Sequence, residues 1–194
     1  DEQMEHLIMN QACLLGRIEE TTPLWDAVYY AHYDLVYDLL EFDVDVDWER
    51  PSDGSTPLYL AAQEGHVSVV AFLVLNRNAD VEKAANGGWS PLYIASQNGH
   101  LDVVKLLVLE SNANVETTDE DGWTPLIVAA SEGHLDVVKF LVSEGNANVA
   151  VEANDGLTPL LTAQENENED IAEFLSKLNS SSRRRKSLIP RICN

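Results

Sequence analysis

The chain has 194 residues, of which 45% are hydrophobic and 23% charged, a composition that fits a folded protein and argues against general disorder. The formal net charge is −21 and very unevenly spread: residues 1–182 hold 7 basic against all 33 acidic residues, a net of −26, while the tail from Arg183 onward carries +5. Such a negative body repels nucleic-acid phosphates and anionic lipid, so neither DNA nor a membrane surface is expected as its partner, and any partner steered by charge is basic.

No run reaches the roughly 18 apolar residues that span a bilayer. The N-terminus, with Asp1, Glu2 and Glu5, lacks the basic flank and apolar core of a signal peptide. Only Cys13 and Cys193 occur, near opposite ends, which gives no disulfide framework and makes an intracellular, cytoplasmic setting the expectation. Asp1 in place of an initiator Met points to a processed chain or an excised fragment.

Taken in chain order, the first element is a helix predicted over residues 2–17. Met4, Leu7, Ile8, Leu15 and Ile18 recur at near-helical spacing. Residues 1–19 read either as a helix capping the segment after them or as the remnant of a longer array.

A repeat then begins. Thr-Pro-Leu starts at Thr22, Thr56, Thr124 and Thr158, with Ser90-Pro91-Leu92 in the remaining slot, so every interval is 34 residues. Ala27, Ala61, Ala95, Ala129 and Ala163 keep the same register. So do Gly65-His66, Gly99-His100 and Gly133-His134, with Ala31-His32 in the first unit. A register held over five copies marks one structural unit repeated along the chain.

Each unit reads as two short helices. Thr or Ser is the N-cap, and Pro takes the first helical position, where its missing N–H costs nothing. The first helix stops at Gly65, Gly99 or Gly133, residues suited to a left-handed C-cap. A second helix follows with apolar residues three and four apart, such as Val69, Val70 and Leu73. Asn78, Asn112 and Asn146, again 34 apart, suit left-handed geometry. Asp53-Gly54, Asn86-Gly87, Asp121-Gly122 and Asp155-Gly156 are turn signals leading into the next unit. Two such helices bury little alone, so neighbouring units are expected to stack into one elongated core.

In the fifth unit Gly-His-Leu becomes Glu167-Asn168-Glu169, while Ile171, Phe174 and Leu175 keep an apolar face. This is the pattern of a C-terminal cap. Residues 179–194 read as a basic disordered tail by composition. Arg183, Arg184, Arg185 and Lys186 suit a nuclear import signal, and Ser187 suits phosphorylation by a basic-directed kinase. The tail also suits folding back onto the acidic body, or serving only as a solvated linker.

The strings TPLYLAAQEGHVSVV, SPLYIASQNGHLDVVKLLV and TPLIVAASEGHLDVVKFLV resemble the ankyrin-repeat family. The resemblance covers about residues 20–178. It implies an all-α solenoid of stacked helix-turn-helix units joined by β-turn loops. Two features depart from the family pattern. The period is one residue above the usual 33, which the extra Asn at 78, 112 and 146 accounts for. The family's Thr-Pro-Leu-His ends here in Trp25, Tyr59, Tyr93, Ile127 and Leu161, so the hydrogen bonds of that His must be made otherwise or lost.

The family holds protein partners on its concave side, through turn tips and the ends of first helices. Carried over, this puts Asp53, Trp89, Asp121, Trp123 and Leu157 on the turns, and Tyr29, Tyr30, Glu64, Gln97 and Glu132 at the helix ends. Trp89, Trp123 and Leu157 share one register in successive units. They form either an aromatic hot spot flanked by acids, suited to Arg or Lys, or a set of turn residues packed on their neighbours.

The recurring His residues do not read as a metal site. Equivalent helices stand about 8–10 Å apart, whereas zinc takes nitrogen ligands at about 2.0–2.1 Å. The chain has no phosphate-cradling glycine loop, nucleophile elbow or Cys-x-x-Cys. The expectation is a non-catalytic, monomeric protein-interaction scaffold with no metal or cofactor, gripping a basic partner. The alternative is the regulatory or targeting segment of a larger enzyme or channel.

Overall fold

The computed structural model describes residues 22–42 and 44–187, with side chains as far as Leu178. The predicted helix at 2–17 and both cysteines lie outside the described residues. Within the described residues ten α-helices form five pairs: α1 Pro23–Tyr29 with α2 Tyr33–Leu40, α3 Pro57–Gln63 with α4 Val67–Ala71, and α5 Pro91–Gln97 with α6 Leu101–Lys105. The last two pairs are α7 Pro125–Glu132 with α8 Leu135–Ser143, and α9 Pro159–Glu165 with α10 Glu169–Ser187.

The first helix of every unit begins as its sequence dictates. Thr22, Thr56, Ser90, Thr124 and Thr158 each accept the backbone N–H three residues on, with Pro at the first helical position. The cap hydroxyl satisfies one of the helix's orphan donors. The stops are equally local: Gly65, Gly99 and Gly133 take φ of 72°, 74° and 84°. A side chain there is strained, and it would also meet the next unit, since a Cβ on Gly65 would lie 2.6 Å from His100 Nδ1. The outer units tolerate other residues, with Ala31 at φ 55° and Glu167 at 60°.

First helices pack in sequence, α1 on α3, α3 on α5, α5 on α7 and α7 on α9, while α4, α6, α8 and α10 form a second row. The core is one continuous layer between the rows. It includes Leu58, Val69, Leu73, Leu92, Val103, Leu107, Leu126, Val137 and Leu141, all at most 1% exposed. Stacking therefore buries what a single pair would leave wet.

The extra residue of the 34-residue period is absorbed at the end of the second helices. Asn78, Asn112 and Asn146 are left-handed at φ 53°, 55° and 57°. Ala79 N–H donates to Leu73 O at 3.0 Å, Ala113 to Leu107 at 2.9 Å and Ala147 to Leu141 at 2.9 Å. An ordinary left-handed helix end closes such a bond over five residues; here it spans six. In the second and third units the helix widens into π-helical turns, Phe72–Asn76 and Leu106–Glu110, before the Asn.

The last helix departs from the sequence reading. Composition marked residues 179 onward as disordered, yet the α10 backbone stays helical to Ser187. Arg and Lys are good helix formers, and Glu169 and Asp170 in the first turn suit the positive end of the helix dipole.

Candidate interaction face

Between units the chain turns through narrow fingers. Ala85 N–H donates to Trp89 O, Asp119 to Trp123 O and Ala153 to Leu157 O, at 2.9–3.0 Å. One backbone bond then joins each tip to the next: Asn86 N–H to Asp53 O at 2.8 Å, Glu120 to Gly87 O at 3.0 Å, and Asn154 to Asp121 O at 3.0 Å. The side chains on the tips are thereby carried at fixed spacing.

Trp89 is 44% exposed; Trp123 and Leu157 are half-buried. None of the three belongs to the apolar cluster of the core. Among the described residues neither indole pairs with another ring. The Trp89 ring lies over its own turn, its nearest atom 3.4 Å from where a Cβ on Gly87 would stand. Asp119 sets the third finger: Oδ1 accepts the N–H groups of Asp121 at 3.0 Å and Trp123 at 2.8 Å, while Oδ2 accepts the Tyr93 hydroxyl at 3.0 Å. Burial raises the Tyr93 pKa, and so do the charges of Asp119, Asp121 and Glu132. Acids from a finger and from the end of α7 thus act on one phenol.

The bonds of the missing consensus His are partly replaced. Tyr93 reaches Asp119, and Trp25 Nε1 donates to Ser55 Oγ at 3.3 Å. Ile127 and Leu161 supply no hydrogen-bonding group at that position.

Asp53 is already engaged. Arg50 Nε donates to its Oδ1 at 2.9 Å, Arg50 Nη2 bonds its other oxygen, and the Ser55 N–H and hydroxyl donate at 3.0 and 2.8 Å. Partial burial opposes ionisation, but the bonds from Arg50 and Ser55 outweigh it and lower the pKa to about 2. Glu64, Asp121 and Glu132 are exposed, although Glu64 accepts a bond from Gln63 at 2.8 Å. Gln97 is half-buried, and its carbonyl accepts His134 Nε2–H at 2.8 Å. Tyr29 and Tyr30 are 49% and 44% exposed.

The recurring His residues tie one unit to the one before it. His100 Nε2 lies 2.9 Å from Gln63 O, repeating the His134 arrangement, while the Tyr33 hydroxyl is 3.1 Å from His66 Nδ1. A carbonyl can only accept, so Nε2 carries the proton in His100 and His134. Asn168 takes the equivalent place in the fifth unit and donates to Ala130 O and Ser131 O at 2.9 and 2.8 Å. Among the described residues no group of three His, Cys, Asp or Glu side chains could hold a metal ion, and no helix is long and apolar enough to cross a membrane.

Sequence reasoning missed a ladder among the acids. The side chains of Asp47, Glu82 and Glu116 accept the backbone N–H of Asp80, Asn114 and Asn148 in the following unit, at 2.7–2.9 Å. The 34-residue spacing of Glu82 and Glu116 was the available signal.

Paired helices stacked in two rows, with hydrogen-bonded fingers between them, define a helical repeat solenoid. The family model described as "Ankyrin repeats (3 copies)" matches residues 24–119 and 108–185, and the chain belongs to the ankyrin-repeat family. No curated protein matches it. Ankyrin repeats are generally protein–protein interaction modules and typically non-catalytic scaffolds.

Proposed function

We propose that this chain holds a basic segment of another protein against the face formed by its finger tips and first-helix ends. One observation carries the reading: Trp89 and Trp123 stand on successive tips, outside the core and unpaired with any other described ring, with exposed Asp121 between them in sequence. Indoles bury much area at little entropic loss, and an aromatic face beside a carboxylate suits Arg or Lys. Gln97, Glu132, Leu157, Tyr29 and Tyr30 extend the face. Asp53 contributes through its bond to Arg50 rather than as a free charge.

The test is capture from cell lysate on the full chain, beside a Trp89→Ala/Trp123→Ala variant, at low and high salt. The expected result is a bound protein that the variant fails to hold and that salt weakens. If wild type and variant retain the same proteins, the two indoles are not the site.

A further inference from the structure

The interaction face is not uniform along the stack, and the cause starts at Pro51. The later fingers close through the N–H of Ala85, Asp119 and Ala153. Pro51 stands in that register and has no N–H to give. The closing bond moves back one residue, to Arg50 N–H and Ser55 O at 2.9 Å. Arg50 then lies in the first finger, with its guanidinium carbon 4.5 Å from the centre of the Trp25 ring and its nitrogens bonded to Asp53. Trp25 stacks on Tyr29 at 5.4 Å, and Tyr29 meets Tyr30 edge-on at 4.9 Å. The front of the face therefore presents Tyr29 and Tyr30 beside buried Trp25, and its carboxylate is already matched by a cation.

Further along the stack the balance differs. Tyr59 and Tyr93 occupy the same position in successive units. Tyr59 feels Asp53 and Arg50 together, whereas the charges that act most on Tyr93 are those of Asp119, Asp121 and Glu132. Glu120, Asp121, Glu132 and Asp155 are exposed. Between Thr118 and Asn168 the only Lys or Arg is Lys139, which lies on the second-row helix α8.

We propose that the face binds its partner segment in one direction, with an apolar end over Tyr29 and Tyr30 and an arginine-bearing end against Trp123, Asp121 and Glu132. This rests on the function proposed above and adds the partner's chemistry and polarity. The Arg50 arrangement argues for arginine over lysine: within this protein a guanidinium already lies on an indole while a carboxylate holds it. A planar, weakly hydrated cation stacks on an aromatic face and bonds a carboxylate through a rigid fork; an ammonium is a compact, strongly hydrated point charge without that fork. Charge complementarity then sets the direction, because a basic end placed at the front would sit beside Arg50.

The probe is a synthetic peptide with Leu-Phe at one end and three arginines at the other, carrying a nitroxide at either end. It is read by quenching of backbone amide signals in the full chain. The arginine-end label is expected to quench Asp121, Glu132 and Asp155, and the Leu-Phe-end label Tyr29 and Tyr30. Glu132→Gln/Asp155→Asn should weaken binding about tenfold and Glu64→Gln less than about twofold, in proportion to the charge-assisted hydrogen bonds each removes. A lysine version of the peptide should bind about fivefold more weakly. Reversed or identical quenching from the two labels, sensitive to Trp89→Ala/Trp123→Ala, would overturn the polarity while leaving the face as the site. Equal affinity for the lysine peptide would remove arginine from the proposal. Quenching that the double variant leaves unchanged, or no binding, would overturn both the polarity and the function it rests on.

Discussion

Replacing Gly99 by Ala isolates how one unit is locked to the next. Gly99 sits at φ 74°, where an L side chain costs about 1–2 kcal/mol. A Cβ there would also lie 2.5 Å from His134 Nδ1 and 2.7 Å from its Cε1. The ring must move, and its 2.8 Å bond to Gln97 O, worth about 1 kcal/mol, is strained or lost. The expected cost, adding strain to the weakened bond, is about 2–3 kcal/mol. Gly156 is the control: its φ is 83°, but nothing lies within 4 Å of its Cβ position, so Gly156→Ala should cost only the conformational part. In a His134→Ala background the obstruction is gone, and Gly99→Ala should fall to the Gly156 value. Urea unfolding followed by circular dichroism, with midpoints compared at constant m, measures all of these variants. The reasoning fails if Gly99→Ala costs no more than Gly156→Ala, or costs the same whether or not His134 is present.

Thr124→Ala removes a cap that is 1% exposed and accepts Ile127 N–H at 3.3 Å, so it should cost about 1–2 kcal/mol in the same assay; an unchanged midpoint would show the cap to be idle. The carboxylate of Asp53 is held ionised down to about pH 2, against 3.8 unperturbed. Its depressed pKa contributes stability that is present above pH 3.8 and lost as pH falls toward 2, so the stability gap between wild type and Asp53→Asn should shrink over that range. Burial first, and then Asp53, raises the Tyr59 hydroxyl from 10.0 to about 12. Its stabilising contribution is complete below pH 10 and is lost as pH rises through 12. Alkaline unfolding curves for Tyr59→Phe should therefore fall less steeply than wild type over this window.

Much of the scaffold is legible because its determinants are local and repeated. A Thr-Pro pair starts a helix wherever it stands, a Gly ends one by permitting positive φ, and five copies expose the period. The register of His100 and His134 was likewise visible, though their carbonyl partners were not. Less legible is what depends on packing across units. Nothing beside Pro51 in the sequence announces that losing one N–H will bring Arg50 onto Trp25, 25 residues earlier, and engage Asp53. The extra residue of the period was visible at Asn78, Asn112 and Asn146, but the π-helical widening ahead of two of them was not, since it depends on how the helix end closes. The helix through Ser187 was missed because a serine-rich, basic composition reads as disorder when helix propensity and the dipole are left out.

The central claim is that the finger tips meet a partner, and photocrosslinking from single positions tests it most directly. A photoreactive phenylalanine analogue replaces Trp89 in one full-length variant, Trp123 in a second and Leu75 in a third. Leu75, 53% exposed, lies in the π-helical turn at the end of a second-row helix. In lysate at low salt, positions 89 and 123 are expected to trap the same protein through an arginine-containing segment, and position 75 to trap none of it. The claim is contradicted if position 75 traps that protein as well as the tips do, or if neither tip traps any protein that salt removes.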